Sequence, residues 1–202
     1  MTESTGRLVV AITGASGAPY AIRFLQQAAT LYSEVYVMLT EQAVQVIAVE
    51  TGRAVSLNKL TSESLLGADY PSIRFADRKN FFTPPASGSF RHDGMVIVPC
   101  SMGTASRIAA GSSDDLISRA ADVCLKERRR LIIVPRETPW NLIHLRNMVT
   151  LTEAGATILP AAPAFYHNPK SINDLVDFVV ARILQQLDAP QRLVGEWQVE
   201  AR

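Results

Sequence analysis

The sequence is poor in the residues that hold metals and disulfides. It has only two cysteines, Cys100 and Cys124, and three scattered histidines. Two cysteines are too few for the disulfide framework of a small secreted protein, and the histidines do not stand at metal-ligand spacings with them. We therefore expect neither a disulfide scaffold nor a metal site.

The sequence also lacks a charge excess and a long apolar run. Its formal net charge is +1, and no block of basic residues interleaves with aromatics, so its electrostatics do not favour nucleic acid. No apolar stretch approaches the ~20 residues that span a bilayer, and the polar start MTESTGR is unlike a signal peptide. We expect a cytoplasmic protein with no nucleic-acid partner and no membrane partner.

What the sequence does contain is an alternation of short β-branched runs with helical patterns. This alternation predicts an α/β fold of three layers, in which a doubly wound, mostly parallel sheet of the Rossmann or flavodoxin-like kind lies between helices. A length of 202 residues fits one domain. We assign residues 1–202 to that domain, with 188–202 as a C-terminal tail.

The predicted strands are Leu8–Ile12, Val35–Leu39, Ile73–Phe75, Met95–Val98, Leu131–Val134 and Thr157–Leu159. The predicted helices are Pro19–Thr30, Glu41–Glu50, Thr104–Ala110, Asp114–Glu127, Asn141–Glu153 and Ile172–Leu187. Ser171 and Asp174 form a capping pair at the start of the last helix. Prolines interrupt the stretch 55–94, where we expect a strand and a long functional loop.

Small and polar residues follow the apolar runs where the strands should end. In open parallel sheets the carboxyl ends of the strands meet at one edge, and ligands bind in the crevice there. These residues supply hydroxyls, backbone amides, a cation and a carboxylate. They lie at 13–17, 40–41, 99–104 and 135–139.

The first of these turns, AITGASGAPYA at 11–21, has the features of a phosphate-binding turn. Gly14 and Gly17 permit a tight turn, Ser16 offers a hydroxyl, and amides at the start of the next helix can hold an anion. The turn lacks the third glycine of a dinucleotide site and the lysine of a nucleoside triphosphate loop. It fits a mononucleotide phosphate, with an ordinary glycine-rich turn as the alternative.

Other candidates also have structural alternatives. Residues 101–104 form either a second binding turn or an ordinary helix N-cap. Cys100 is better explained as a buried core thiol than as a nucleophile. Arg119 and Lys126 share one helix stripe, and they either clamp a phosphate or form a solvated stripe with Asp122.

Three further residues are candidates from their positions. Arg136 and Glu137 are the stronger ones, because two prolines hold these opposite charges rigidly at a strand end. Tyr166 either donates to a phosphate or covers the sheet edge with its ring. Arg182 borders the apolar face of the last helix, where a snorkelling surface arginine is the alternative.

Six motifs occur in one order from about Arg7 to Leu187: GASGAPYA, PPASGS, PCSMGT, RAADVCLKERR, VPRETP and LPAAPAFYHNPKS. Together they resemble the UbiX-type flavin prenyltransferases, formerly regarded as phenylacrylic acid or 3-octaprenyl-4-hydroxybenzoate decarboxylases. The resemblance implies a metal-independent enzyme that joins a dimethylallyl group from dimethylallyl monophosphate to N5 and C6 of reduced FMN. It also implies a dodecamer, and a UbiD-type decarboxylase that receives the prenylated FMN in ubiquinone biosynthesis or aromatic-acid decarboxylation.

The resemblance also implies roles for residues. The FMN-binding residues would be Gly14, Ala15, Ser16, Thr40, Ser101, Met102, Gly103, Thr104 and Arg119. The prenyl phosphate would be bound by Ser87, Gly88, Ser89, Lys126, Arg136, Tyr166 and Arg182. The catalytic residues would be Glu50, Glu137, Lys126 and Phe81. The two glutamates would manage proton movement, and the Phe81 ring would stand over the allyl group.

Two residues depart from the family pattern. Thr40 replaces a serine but keeps the hydroxyl, whereas Phe81 replaces a tryptophan and has a weaker π-face for a cation. Phe82 is the alternative source of the ring. Residues from 55–94 and the tail near Trp197 are expected to complete the pocket of a neighbouring subunit.

Two other functions stay open at the level of sequence. One is a flavin-dependent decarboxylase of the peptidyl-cysteine type. The other is a non-catalytic FMN carrier, in which the cations would not need to converge.

Overall fold

The fold is a six-stranded parallel sheet with helices on both faces. The computed structural model describes residues 6–195, so part of the expected tail, with Trp197, lies outside the described residues. The strands are β1 (Arg7–Ile12), β2 (Glu34–Leu39), β3 (Ile73–Phe75), β4 (Met95–Cys100), β5 (Leu131–Pro135) and β6 (Thr157–Ile158). The α-helices are α1 (Ala18–Leu31), α2 (Glu41–Thr51), α3 (Ser62–Leu66), α4 (Met102–Ala109), α5 (Leu116–Lys126), α6 (Leu142–Glu153) and α7 (Ile172–Gln186).

The strand order is β3-β2-β1-β4-β5-β6, and every neighbouring pair is parallel. This order confirms the predicted doubly wound α/β fold, and it is the order of Rossmann folds. The direction of winding reverses between β1 and β4. Ligands of such folds bind in the crevice at that point, beyond the carboxyl ends of the strands.

Both faces of the sheet are buried, which is why its strands read as continuous apolar runs. Along β1, Leu8, Val10 and Ile12 belong to one hydrophobic core, whereas Val9 and Ala11 belong to the other. Helices α1 and α7 pack on the first face, and α4 and α5 pack on the second. No helix in the described part of the chain is long and apolar enough to cross a membrane.

Side-chain caps decide where α4 and α5 begin. Helix α4 begins two residues before the predicted start, because Ser101 caps it by accepting a hydrogen bond from Thr104 N at 3.3 Å. Helix α5 begins two residues after its predicted start, because Asp115 accepts a hydrogen bond from Ser118 N at 2.9 Å. A capping residue keeps an extended backbone and therefore marks the boundary itself.

The sequence predicted the start of α7 but missed α3. Ser171 and Asp174 form a capping box at the start of α7, as their spacing predicted. In the stretch 55–94 the predicted strand is present as β3, but helix α3 also lies there, capped by Thr61. Helix α3 has five residues, too few to show a helical period.

One buried hydroxyl ties the carboxyl ends of β1 and β4. Thr13 Oγ1 donates to Pro99 O at 3.0 Å and accepts from Ser101 N at 2.7 Å. The Thr13 side chain is almost fully buried. Because both bonds cross the point where the winding reverses, Thr13 fixes the geometry of the crevice in which a ligand is expected.

We predict that Thr13→Val lowers the free energy of unfolding by about 2 kcal/mol, because the partly buried Ser101 N–H loses its acceptor and the buried Pro99 carbonyl loses a donor while the side-chain volume is kept. Urea titration monitored by circular dichroism measures the change. Thr13→Ser is the matched control, because it retains the hydroxyl. Equal stability of the valine and serine variants would contradict this account of the crevice.

Candidate functional site

Two glycines in the turn after β1 are required by the backbone conformation and by packing. Gly17 has a φ of +124°, a conformation that side-chain-bearing residues rarely adopt. At Gly14 an added Cβ would lie 2.4 Å from Gln42 Cβ, so α2 approaches the turn too closely for any side chain. The turn is therefore shaped by its contact with α2 as well as by any ligand.

The start of α1 is already occupied by a carboxylate from within the chain. Glu50 Oε2 accepts hydrogen bonds from Gly17 N at 2.9 Å and from Ala18 N at 2.7 Å. Pro19 has no N–H, and Tyr20 N donates to Gly17 O at 3.0 Å. The amides of Gly17 and Ala18 are therefore not free, because the last turn of α2 brings Glu50 to them, and phosphate binding at this turn stays a prediction.

Glu50, Ser16 and Arg136 form a cluster from three separate elements. Arg136 Nε, beyond the end of β5, donates to Ser16 O at 3.1 Å. Burial opposes ionisation of Glu50, but hydrogen bonds from the Ser16 hydroxyl and from the amides of α1, together with the charge of Arg136, outweigh it. The pKa of Glu50 therefore lies below its usual value, so Glu50 is ionised at neutral pH.

The hydroxyls that follow β2 and β4 cap helices. Thr40 caps α2 by accepting from Ala43 N at 3.1 Å. Ser101 caps α4, and its Oγ lies 3.0 Å from Thr104 Oγ1. The structure thus confirms the N-cap interpretation of residues 101–104. A hydroxyl oxygen that accepts one bond still has capacity for another, so ligand binding by these residues stays a prediction.

The N-terminus of α4 differs from that of α1 in its amides. Met102 N and Gly103 N make no hydrogen bond within residues 6–195, and Gly103 is exposed. Arg107, which sequence reasoning missed, donates to Thr104 Oγ1 at 3.2 Å. Its spacing of three residues from Thr104 on one helix was the available signal.

Cys100 and Cys124 are both buried thiols. Burial raises the pKa of each to about 12, so neither forms the thiolate that a nucleophile needs. Residues 6–195 contain no group of three or more potential metal-ligating side chains.

Glu137 lies in a hydrogen-bonded loop between β5 and α6. Its carbonyl accepts from Thr138 Oγ1 at 2.8 Å and from Trp140 Nε1 at 2.9 Å. Glu137 Oε1 accepts from Thr138 N at 3.1 Å. Sequence reasoning missed Trp140, because nothing in a sequence pattern connects an indole to the carbonyl of a residue three positions earlier.

Phe81 and Phe82 lie in the loop that follows β3. Arg78 anchors this loop to the starts of two helices, donating to Glu41 Oε2 at 2.6 Å and to Asp115 Oδ2 at 3.3 Å. Phe82 is fully exposed, and Phe81 is 41% exposed. The loop therefore carries two exposed aromatic rings, and Arg78 fixes the start of the loop to the protein.

Tyr166 and Arg182 lie near β6, which is an edge strand of the sheet: Tyr166 is in the loop between β6 and α7, and Arg182 is on α7. The Tyr166 ring packs edge-on against Phe178 with a centroid distance of 5.7 Å. Arg182 donates to Gln185 Oε1 at 2.7 Å and lines a cavity of about 260 Å³ between β6 and α7.

Lys126 lies at the opposite edge of the sheet, where the strands begin. It pairs with Glu127, and a Cβ on Gly88 would lie 2.7 Å from Lys126 Nζ. Arg129 fixes the same loop by donating to the carbonyls of Gly88 and Phe90. Ser87, Gly88 and Ser89 are therefore close to Lys126, as a clamp on one phosphate requires.

Arg119 stands seven residues before Lys126 on the same stripe of α5 and does not share its partner. It donates to Ala86 O at 3.1 Å and to Asp122 Oδ2 at 2.8 Å. The solvated-stripe alternative had Asp122 pairing with both cations. Within the described residues Asp122 pairs with Arg119 alone, because Lys126 is held by Glu127.

The residues expected to bind one phosphate are thus separated within one chain. Lys126 precedes β5 and Arg136 follows it, and the five residues of β5 span about 16 Å. A lysine side chain cannot cover that distance. Strands and return helices of a parallel sheet run in opposite directions, which places Lys126 and Arg136 beyond opposite ends of β5, and their binding of one phosphate stays a prediction.

The chain matches the Flavoprotein family over residues 2–184. It is 48% identical over 195 residues to the flavin prenyltransferase UbiX of Pseudomonas aeruginosa, an alignment that covers 95% of this chain and 93% of the relative. The chain belongs to the UbiX flavin prenyltransferase family.

Two solved structures of UbiX proteins are similar over almost the whole chain. AnUbiX (PadA1), solved in complex with FMN and dimethylallyl pyrophosphate, is 44% identical with a TM-score of 0.85, covering 96% of this chain and 98% of its own. The dodecameric FMN-dependent UbiX-like decarboxylase of Escherichia coli O157:H7 is 37% identical with a TM-score of 0.84, covering 96% of this chain and 100% of its own. The FMN-dependent cysteine decarboxylase TvaF, at 15% identity and a TM-score of 0.59, shares the fold alone.

The cluster at the carboxyl edge gives this UbiX family member a defined set of chemical capabilities. Arg136 offers a cation that a phosphate oxygen can approach. Glu50 is an ionised carboxylate in contact with the Ser16 hydroxyl, so the pair can accept and pass on a proton.

We predict that Glu50→Gln destabilises the protein at pH 7 by about 0.5 to 1 kcal/mol, through loss of a negative charge at the start of α1. Because the pKa of Glu50 is lowered in the folded state, its contribution is present above the usual value of 4.5 and is lost as pH falls through the folded pKa. The difference in melting temperature between parent and variant should therefore shrink below about pH 4.5.

Glu153→Gln is the matched control, since the Glu153 side chain makes no hydrogen bond or ion pair within the described residues. A stability difference for Glu50→Gln that stays constant from pH 7 to about pH 3 would contradict the assigned role of the carboxylate.

Proposed function

We propose that this protein is a flavin prenyltransferase that joins a dimethylallyl group from dimethylallyl monophosphate to N5 and C6 of reduced FMN. The observation that carries the proposal is its near-complete match to AnUbiX, whose structure holds FMN and dimethylallyl pyrophosphate. The cluster of Ser16, Glu50 and Arg136 provides the chemistry that such a transfer needs.

The carboxyl edge fits FMN. The amides of Met102 and Gly103 at the start of α4, which make no hydrogen bond to any described residue, suit an anion, because a helix N-terminus combines free N–H groups with a positive dipole end. Hydroxyls surround the same crevice. The residues proposed to bind FMN are Gly14, Ala15, Ser16, Thr40, Ser101, Met102, Gly103, Thr104 and Arg119.

Reduced FMN supplies the nucleophilic N5 and C6 atoms, and the chain supplies charge, proton transfer and exclusion of water. Arg136 offsets negative charge on the departing phosphate. Glu50 holds an ionised carboxylate beside Ser16 and accepts a proton there. Glu137 serves as the second proton-transferring group at the end of β5, and Phe81 provides an apolar wall that keeps water from the allyl cation.

The prenyl-phosphate site is proposed to combine residues of two subunits. Lys126 with residues 87–89 from one copy would complete the edge that carries Arg136 in another. The separation of about 16 Å along β5 supports the proposal, because one chain cannot bring these residues together. Tyr166 and Arg182 are proposed to bind the same phosphate.

The outer face of α6 supports assembly into the proposed homododecamer. Leu142, Ile143, Leu145 and Val149 are exposed on this helix, while Met148 and Leu151 on its other face are buried. Contiguous exposed apolar side chains mark interaction surfaces. Transfer of the product to a UbiD-type decarboxylase and a cytoplasmic location stay predictions.

The test is anaerobic incubation of the protein with reduced FMN and dimethylallyl monophosphate, followed by mass spectrometry of the flavin. The proposal predicts a flavin that has grown by one C5 unit. An unchanged flavin, despite measured binding of both ligands, would favour the carrier alternative. Release of CO2 from a peptide with a C-terminal cysteine would favour the decarboxylase.

In the same assay we predict that Glu137→Gln binds FMN like the parent but forms the C5 adduct about 100-fold more slowly, because an amide cannot transfer the proton. Single-turnover formation of the adduct measures the rate, and Glu153→Gln again serves as the control. Parent-like turnover of Glu137→Gln would remove Glu137 from the mechanism.

We further predict that Lys126→Ala and Arg136→Ala are each inactive alone but recover activity when co-expressed in mixed oligomers. Mixing restores activity because some shared sites then receive an intact lysine from one subunit and an intact arginine from another. Adduct formation by the purified mixed oligomer is the measurement. A mixture as inactive as its components would show that both residues must lie on one chain.

A further inference from the structure

Trp140 connects the end of β5 to the helix that follows it. Its indole N–H donates to the carbonyl of Glu137 at 2.9 Å. The ring is partly buried and packs against the hydrophobic core on the α4 and α5 side of the sheet. The indole therefore links the backbone of Glu137 to a packed interior.

Helix α6 fixes Trp140 from the other direction. Asn141, the next residue, caps α6 and accepts from His144 N at 2.9 Å. A capped helix start leaves the preceding residue little conformational freedom. Trp140 is thus held by its packing and by the helix that begins directly after it.

Glu137 depends on this support more than its neighbours do. Arg136 is tied to the sheet by its own bonds, N to Cys100 O at 3.3 Å and Nε to Ser16 O at 3.1 Å. The hydrogen bonds to Glu137, apart from that of Trp140, come from the adjacent Thr138 within the same loop. Trp140 supplies the bond that connects Glu137 to the protein interior.

We propose that Trp140 is a positioning residue for Glu137, which holds the Glu137 backbone so that its carboxylate reaches the reacting groups. The inference rests on the proposed function for its kinetic consequence. In this role Trp140 contacts neither FMN nor the prenyl donor, and it acts only through Glu137.

The test uses Trp140→Phe, which keeps an aromatic ring and removes the N–H donor. We expect kcat for adduct formation to fall about fivefold, on the scale of one hydrogen bond, while the dissociation constant for FMN stays at the parent value. Thr138→Val removes the other donor to the same carbonyl and should change kcat in the same direction. Thr138→Ser keeps the hydroxyl and should behave like the parent.

Hydrogen exchange gives a readout that does not depend on turnover. Peptides covering residues 136–141 should exchange faster in Trp140→Phe than in the parent, with no change in peptides from α7. Unchanged exchange at 136–141, or a kcat equal to the parent with only a lowered melting temperature, would overturn the proposal. Faster exchange together with a parent that forms no adduct would overturn the proposed function instead and leave Trp140 as the anchor of this loop.

Discussion

The sheet is parallel throughout, and this constraint decides where the chain can place its chemistry. Parallel strands end at one edge, whereas the helices that return the chain end at the other. Ser16, Ser101 and Arg136 therefore gather at the carboxyl edge, while Lys126 and Gly88 lie near the edge where the strands begin. The separation follows from topology, so a site that needs both sets has to be shared between copies of the chain.

The groups at the carboxyl edge also hold the fold together. Thr13 ties β1 to β4, and Glu50 saturates the amides at the start of α1. The hydrogen bonds from Gly17 N and Ala18 N to Glu50 change the interpretation of the glycine-rich turn. Within residues 6–195 the amides of Gly17 and Ala18 donate to Glu50 whereas those of Met102 and Gly103 make no hydrogen bond, which favours the start of α4 as the proposed phosphate site. The proposed proton-transfer group Glu50 is held ionised by the same bonds.

Much of the architecture could be predicted from local patterns. The β-branched runs marked the strands, the Ser171 and Asp174 pair marked the start of α7, and polar residues at strand ends marked the candidate edge. What could not be predicted depends on how distant segments meet. The bond from Glu50 to Gly17 spans 33 positions, and the pairing of Lys126 with Glu127 rather than Asp122 depends on side-chain rotamers. The five-residue helix α3 is too short for periodicity.

The claim that the site is shared is tested most directly by a cryo-electron microscopy structure of the assembled protein with FMN and an unreactive dimethylallyl phosphonate. The account predicts that Lys126 and Gly88 of one subunit lie within hydrogen-bond reach of the phosphonate bound by Arg136 of another subunit. A phosphonate bound entirely by residues of one chain, or bound away from Arg136, would contradict it.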